Sequence, residues 1–159
     1  MSSMFAKCSS LKTINYLSSL DPSKVKSLGG MFCECASFVN LNLTWLKTKS
    51  CHNMSALFEK CVNLEKLMLP EHLETKFVKD MSFMFHGCVK LEKIDLSGIK
   101  TGNVVNMGSM FCNCESLKEI KFSKSFKTHK VMNMEKMFSG CGNLITLDLS
   151  SLKMFSGSL

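Results

Sequence analysis

A Met-Phe or Leu-Phe pair recurs along this chain at Met4-Phe5, Met31-Phe32, Leu57-Phe58, Met84-Phe85, Met110-Phe111 and Met137-Phe138, at intervals of 27, 26, 27, 26 and 27 residues. A period in the range of about 20–50 residues marks an array in which no unit buries its apolar face alone and stacked units share one core. Cys8, Cys35, Cys61, Cys88, Cys114 and Cys141 keep one phase behind the phenylalanines, and Leu11, Phe38, Leu64, Leu91, Leu117 and Leu144 keep another. Few folds tolerate so strict a repeat.

The unit from Asn106 to Phe122 displays one whole cycle. Met107, Met110, Phe111 and Cys114 stand at i, i+3, i+4 and i+7, which predicts a short helix with one apolar face. Asn106 precedes it as an N-cap, as do Ser27, Asn53, Asp80 and Asn133 in the other units, because each side chain can accept from an unpaired first-turn N–H. Ile120 and Phe122 alternate as in a strand with one buried face, as do Ile14/Tyr16, Leu41/Leu43, Leu67/Leu69, Ile94/Leu96 and Leu147/Leu149. The predicted fold is α/β: a solenoid with a parallel sheet on one face and short helices on the other. Residues 1–159 form a single domain of about six repeats, starting near 4, 31, 57, 84, 110 and 137.

The motif Met-Phe-x-x-Cys-x-x-Leu-x-x-Ile/Leu-x-Leu, preceded by Thr101-Gly-Asn-Val104-Val-Asn-Met107, resembles the BspA-type leucine-rich repeats of bacterial and protist surface proteins, most closely those of mycoplasma surface lipoproteins. The resemblance covers nearly the whole chain. It implies a leucine-rich-repeat horseshoe, a cell-surface or extracellular location and a role in adhesion or host contact, with no catalytic residue. The common repeat of that class carries an Asn ladder after the strand. Here those positions are Leu17, Thr44, Pro70, Ser97, Ser123 and Ser150.

With 45% hydrophobic residues the chain can fill one core. No run approaches the ~18 apolar residues of a membrane span. The opening MSSMFAKC has no basic region followed by an apolar one, so this segment shows no secretory signal, and a cytoplasmic location stays open. Cys8 is in phase with the other ladder cysteines and reads as packing rather than as a lipidated residue. Neither end looks like a polar terminal repeat, which predicts a fragment of a longer array with any signal or anchor outside it.

Nine cysteines are present. The six ladder thiols are expected to be buried and free, since parallel Cβ vectors suit disulfides poorly, and Cys51 shares the phase of Val25, Val78, Val104 and Val131. Cys33 and Cys112 add Cys-x-Cys pairs three repeats apart. At ~4.8 Å per strand these pairs are ~14 Å or more from each other, beyond one zinc ion with ~2.3 Å thiolate bonds. His52, His72, His86 and His129 fall at four phases and read as scattered surface residues. No metal or cofactor is expected. Most of the thirteen methionines fit the ladder, and Met68 alone is expected to be an exposed contact.

No phosphate loop and no nucleophile–base constellation is evident, so catalysis is not expected. A repeated surface favours binding of a protein or an acidic glycan. One candidate face is the outward side of the strands, with Lys66, Met68, Lys93, Asp95, Glu119 and Lys121. The other is a basic edge. The connecting segments 17–27, 44–53, 70–80, 97–106, 123–133 and 150–159 together carry the whole net charge of +7. They place Lys47, Lys100 and Lys127 in one row, interrupted by Asp21 and Glu74, and Lys49 and Lys76 in another with His129, beside Lys130. Such an edge should attract polyanions in a salt-dependent way. All twenty basic residues are Lys, and without Arg's bidentate fork specific nucleic-acid reading is not expected. Two roles follow: a surface module for adhesion or partner recognition, or an intracellular protein-interaction scaffold that keeps its thiols reduced.

Overall fold

The computed structural model describes residues 1–14, 24–150 and 152. The repeats stack in sequence order, and their phenylalanines form a column at the centre. Phe5, Phe32, Phe58, Phe85, Phe111 and Phe138 lie with successive ring centroids 5.7, 5.8, 5.5, 5.4 and 5.7 Å apart and planes within 12° of parallel. Around them Leu28, Met54, Leu57, Leu64, Met81, Met84, Leu91, Met107, Met110 and Leu117 are wholly buried, which makes one continuous core.

Five of the six ladder thiols have a second task. Cys35, Cys61, Cys88, Cys114 and Cys141 donate through Sγ to the carbonyls of Phe5, Phe32, Phe58, Phe85 and Phe111 of the preceding repeat, at 3.0 to 3.1 Å. Those carbonyls also accept the backbone N–H three residues on, as Phe32 O does from Cys35 N, so both lone pairs are used.

The expected helices are not formed: none occurs among the described residues, and the apolar i, i+3, i+4, i+7 spacing is instead carried by consecutive turns. Two residues per unit are left-handed. The first set is Ser3, Gly30, Ala56, Phe83, Ser109 and Lys136, and the second is Lys7, Glu34, Lys60, Gly87, Asn113 and Gly140, with φ from 52° to 78°. A residue with positive φ every fourth place cannot be part of an α-helix.

The backbone donors show what replaces it. Met31, Cys33 and Cys35 N–H close turns onto Leu28, Gly30 and Phe32 carbonyls, while Leu28, Gly30, Phe32 and Glu34 N–H reach Asn53, Ser55, Leu57 and Glu59 carbonyls of the next unit. The same alternation binds each later pair of units, as in Phe58 N to Met84 O, Phe85 N to Met110 O and Phe111 N to Met137 O. Left-handed conformation costs an L-residue roughly 1–2 kcal/mol. About four inter-unit hydrogen bonds, each worth ~1 kcal/mol net, offset that cost. A lone unit would keep the strain and lose the bonds.

The expected caps do accept N–H groups, but as turn residues. Asn53, Asp80, Asn106 and Asn133 Oδ1 take the N–H two residues on, from Ser55, Ser82, Gly108 and Glu135, at 2.7 to 3.0 Å, and Ser27 Oγ takes Gly29 N–H at 3.2 Å. Ser27, Asn53, Asp80, Asn106 and Asn133 also bridge one another in parallel along the stack.

Opposite the turns lie four short strands, β1 Asn40–Asn42, β2 Lys66–Met68, β3 Lys93–Leu96 and β4 Glu119–Phe122. β1 pairs with β2 and β3 with β4, both in parallel, with Leu41 opposite Leu67 and Ile94 opposite Ile120. The expected single sheet is thus divided into two, because β2 and β3 form no ladder. In the sixth unit, Leu147 and Leu149 lie outside any strand, and only the Glu119–Thr146 bridge continues the pairing. In the first unit, Tyr16 lies outside the described residues.

A threonine ladder holds the connecting segments. Thr48, Thr75, Thr101 and Thr128 are buried at one phase. Thr101 Oγ1 donates to Lys127 O and accepts from Lys127 N–H, both at 2.7 Å, and Thr75 does the same for Lys100 at 2.5 and 3.0 Å. Thr48 Oγ1 donates to Glu74 O at 2.7 Å. One hydroxyl therefore satisfies the backbone of the following unit.

Candidate binding surfaces

The outward strand face neutralises most of its own charge. Lys93 pairs with Glu119 at 3.0 Å, Lys121 with Asp95 at 2.8 Å, and just before the strands Lys118 pairs with Glu92 at 2.9 Å. Burial raises the Asp95 carboxyl, but hydrogen bonds from Lys121 Nζ and Ser97 outweigh it and bring the pKa to about 2. Lys66 and Met68 are exposed without an ion pair among the described residues, and Lys66 borders a shallow 400 Å³ depression with Glu65, Lys90, Glu92 and Ser116.

The basic edge differs. Lys47, Lys49, Lys76, Lys100 and Lys127 are all exposed, and none makes an ion pair with a described residue. Lys130 donates from Nζ to Asn103 Oδ1 at 2.7 Å. Thr75 and Thr101 hold the backbones of Lys100 and Lys127 at equivalent places in successive units, while Asp21 lies outside the described residues.

Within this edge the structure opens a groove of about 500 Å³. Lys49, Lys76 and Lys100 come to it from three consecutive units, together with His72, Glu74 and Phe77. Lys47, Lys127 and Lys130 lie outside its lining. Phe77 is 44% exposed, yet its ring stacks on His52 at 5.6 Å with Lys76 Nζ 5.4 Å from its centroid. At its back the Pro70–Glu71 backbone presses on Gly98, where an added Cβ would lie 2.3 Å from Glu71 O. Sequence reasoning found the lysines but neither Phe77 nor the groove. The unit containing Pro70 has one residue more between strand and threonine than the units on either side, but the fifth unit, from Phe122 to Thr128, shares this length, so spacing alone did not mark the groove.

Several expectations need correcting. Cys8 is exposed, because no described unit covers the outer face of its repeat, and Cys33 and Cys141 are only half-buried, whereas Cys112 is buried. Met68 is not the only exposed methionine, since Met4 and Met132 are exposed as well. His86 is no open surface residue: its Nδ1 is enclosed with no hydrogen-bond partner, edge-on to the left-handed Phe83 at 5.8 Å. All nine cysteines are free thiols. Among the described residues no cluster of three or more His, Cys, Asp or Glu could hold a metal ion. No helix among them is long and apolar enough to cross a membrane.

The sequence family described as Mycoplasma protein of unknown function, DUF285, matches residues 1–91 and 39–151. The chain belongs to this family. Its two overlapping matches run through all the stacked units. No curated protein matches the chain. Among solved structures, a leucine-rich repeat protein of T. pallidum is similar at 20% identity and a TM-score of 0.43, over 74% of this chain. The chain spans 59% of the length of that protein.

Proposed function

We propose that this member of the family is a leucine-rich-repeat-like solenoid of six units that serves as a non-enzymatic binding module at the cell surface in adhesion or partner recognition. The observation carrying this reading is the set of exposed edge lysines, Lys47, Lys49, Lys76, Lys100 and Lys127, which meet no carboxylate among the described residues, whereas Lys93, Lys118 and Lys121 on the strand side are paired. Unpaired charge in a row on a hydrogen-bonded stack suits a partner better than it suits stability. The resemblance of the repeat motif to BspA-type surface repeats supports the location. The row of Lys66 and Met68 is the second face available to a protein partner.

A second reading, an intracellular interaction scaffold, is favoured by the nine free thiols. Antibody labelling of intact cells of the source organism separates the two. Surface labelling is expected, and labelling only after permeabilisation refutes the surface role and favours the scaffold. Adhesion is tested with beads carrying the purified chain on host-cell monolayers. Retention no greater than that of uncoated beads refutes it.

A further inference from the structure

The groove at the junction of the second, third and fourth units has a composition that the rest of the edge lacks. Its volume of about 500 Å³ falls within the roughly 300–1,000 Å³ typical of small-ligand sites. Three lysines line it, Lys49, Lys76 and Lys100, against one acidic residue, Glu74. None of the three lysines has an ion-pair partner among the described residues. Beside them stands Phe77, exposed yet fixed by its stack on His52. Thr75 holds Lys100 by both its backbone groups, so a buried hydroxyl fixes the point from which that side chain springs.

We propose that this groove holds a sulfated or carboxylated sugar unit of an acidic polysaccharide, whose chain continues along the edge past Lys127. The proposal rests on the binding-module reading and gives it a ligand. Ammonium groups on flexible stems meet anionic substituents as point charges, which suits sulfates at variable positions. The part of the Phe77 ring left exposed between His52 and Lys76 Nζ offers apolar surface to the C–H groups of a sugar. A nucleic acid fits less well: no Arg is present to form a bidentate phosphate contact, and one aromatic ring provides no platform for successive bases. Glu74 adds selectivity, since an anion must sit where the lysines outweigh it.

The test is calorimetric titration of the purified chain with a heparin-derived tetrasaccharide, its desulfated counterpart and a short single-stranded DNA of equal charge. The sulfated sugar is expected to bind, with affinity falling as salt rises, and the other two to bind at least about tenfold more weakly. Replacing Lys49, Lys76 and Lys100 by Gln removes three exposed ion contacts and is expected to weaken binding by about tenfold or more. Phe77→Leu is expected to weaken it without changing the salt dependence. A Lys7/Lys60/Lys136→Gln variant, which removes the same charge from exposed positions of the turn chains, serves as control and should bind as wild type. Wild-type affinity in the groove variant, or equal affinity for DNA, overturns the proposal. Beads that still adhere to cells in either case leave the module reading standing without this ligand, whereas loss of all adhesion by the wild-type chain refutes the module itself.

Discussion

Replacing Phe85 by Ala tests the centre of the architecture. The ring is wholly buried and lies 5.5 Å from Phe58 and 5.4 Å from Phe111, nearly parallel to both. Moving such a side chain from water to the core is worth roughly 1.5–3 kcal/mol. The cavity left behind and two lost stacking contacts, ~0.5–1.5 kcal/mol each, add to this, and the usual range for buried Phe→Ala is about 3–5 kcal/mol. Phe5 supplies the contrast. It is only half-buried and stacks on one described ring, Phe32, so Phe5→Ala should cost about 1–2 kcal/mol. Urea unfolding followed by circular dichroism reads both. A domain holding only ~5–15 kcal/mol in total should show a large drop in midpoint for the first variant. A loss below about 1 kcal/mol at Phe85, or equal losses at the two positions, would mean that the column does not carry the core.

Four further outcomes follow from the geometry. A thiol reagent at mildly alkaline pH should modify exposed Cys8 first and leave Cys61 and Cys114 blocked, because burial raises both thiols to about 12, with all nine reacting after non-reducing denaturation; uniform native reactivity refutes this. Gly98→Ala should destabilise the chain by about 1–3 kcal/mol, since its methyl must displace the Glu71 carbonyl, and an unchanged melting temperature would show that the two backbones are not in contact. Lys60→Gly should stabilise by about 0.5–1 kcal/mol, because relief of left-handed strain exceeds the added chain entropy, and destabilisation counts against the positive φ of 55° at that residue. The Asp95 carboxyl lies below its ordinary 3.8, at about 2, so its contribution is present above pH 3.8 and is lost as pH falls through about 2; the thermal advantage of wild type over Asp95→Asn should shrink across that window, and a constant difference refutes the pairing.

The order of stacking, the Phe column and the buried face of the strands were legible in the sequence, because each is a side-chain choice repeated at fixed phase. The turn conformation was not. Of the twelve left-handed positions, only Gly30, Gly87, Gly140 and Asn113 carry residues that favour positive φ. Ser3, Ala56, Phe83 and Lys136 occupy an equivalent place with no local preference for it. There the neighbouring unit, through its backbone acceptors, overrides the propensity of the residue itself. Helix and turn chain share the i, i+3, i+4, i+7 pattern, so periodicity could not separate them. The threonine ladder was visible as Thr48, Thr75, Thr101 and Thr128 at one phase, but a threonine beside charged residues reads as surface until its bond to the next backbone is seen. On the candidate site, pairing at Lys93–Glu119 and Lys121–Asp95 follows from parallel register alone. The groove does not, since its lining comes from three units and includes Gly98, whose contact with the Pro70–Glu71 backbone no spacing announces.

That division explains why a surface function can vary over so uniform a frame. About half the N–H groups of each turn chain bind the next unit, the ladder cysteines bind the previous one, and the buried threonines join the connections. Stability therefore resides in contacts between neighbouring units and in side chains turned inward. The outward positions of the strands and connections take little part in it: they hold Asn, Lys, Met, Asp, Glu and Thr in equivalent places while the turn chains keep the same inter-unit backbone bonds. A row such as Glu74, Lys100 and Lys127 can change sign from one unit to the next at small cost, because exposed charges contribute only ~0.2–1 kcal/mol each. In such a molecule ligand preference is set by which residues stand in a row, and affinity by how firmly the stack holds them. The groove draws on two such rows, one through Lys49 and Lys76 and the other through Glu74 and Lys100, so a change in either row alters what it can hold.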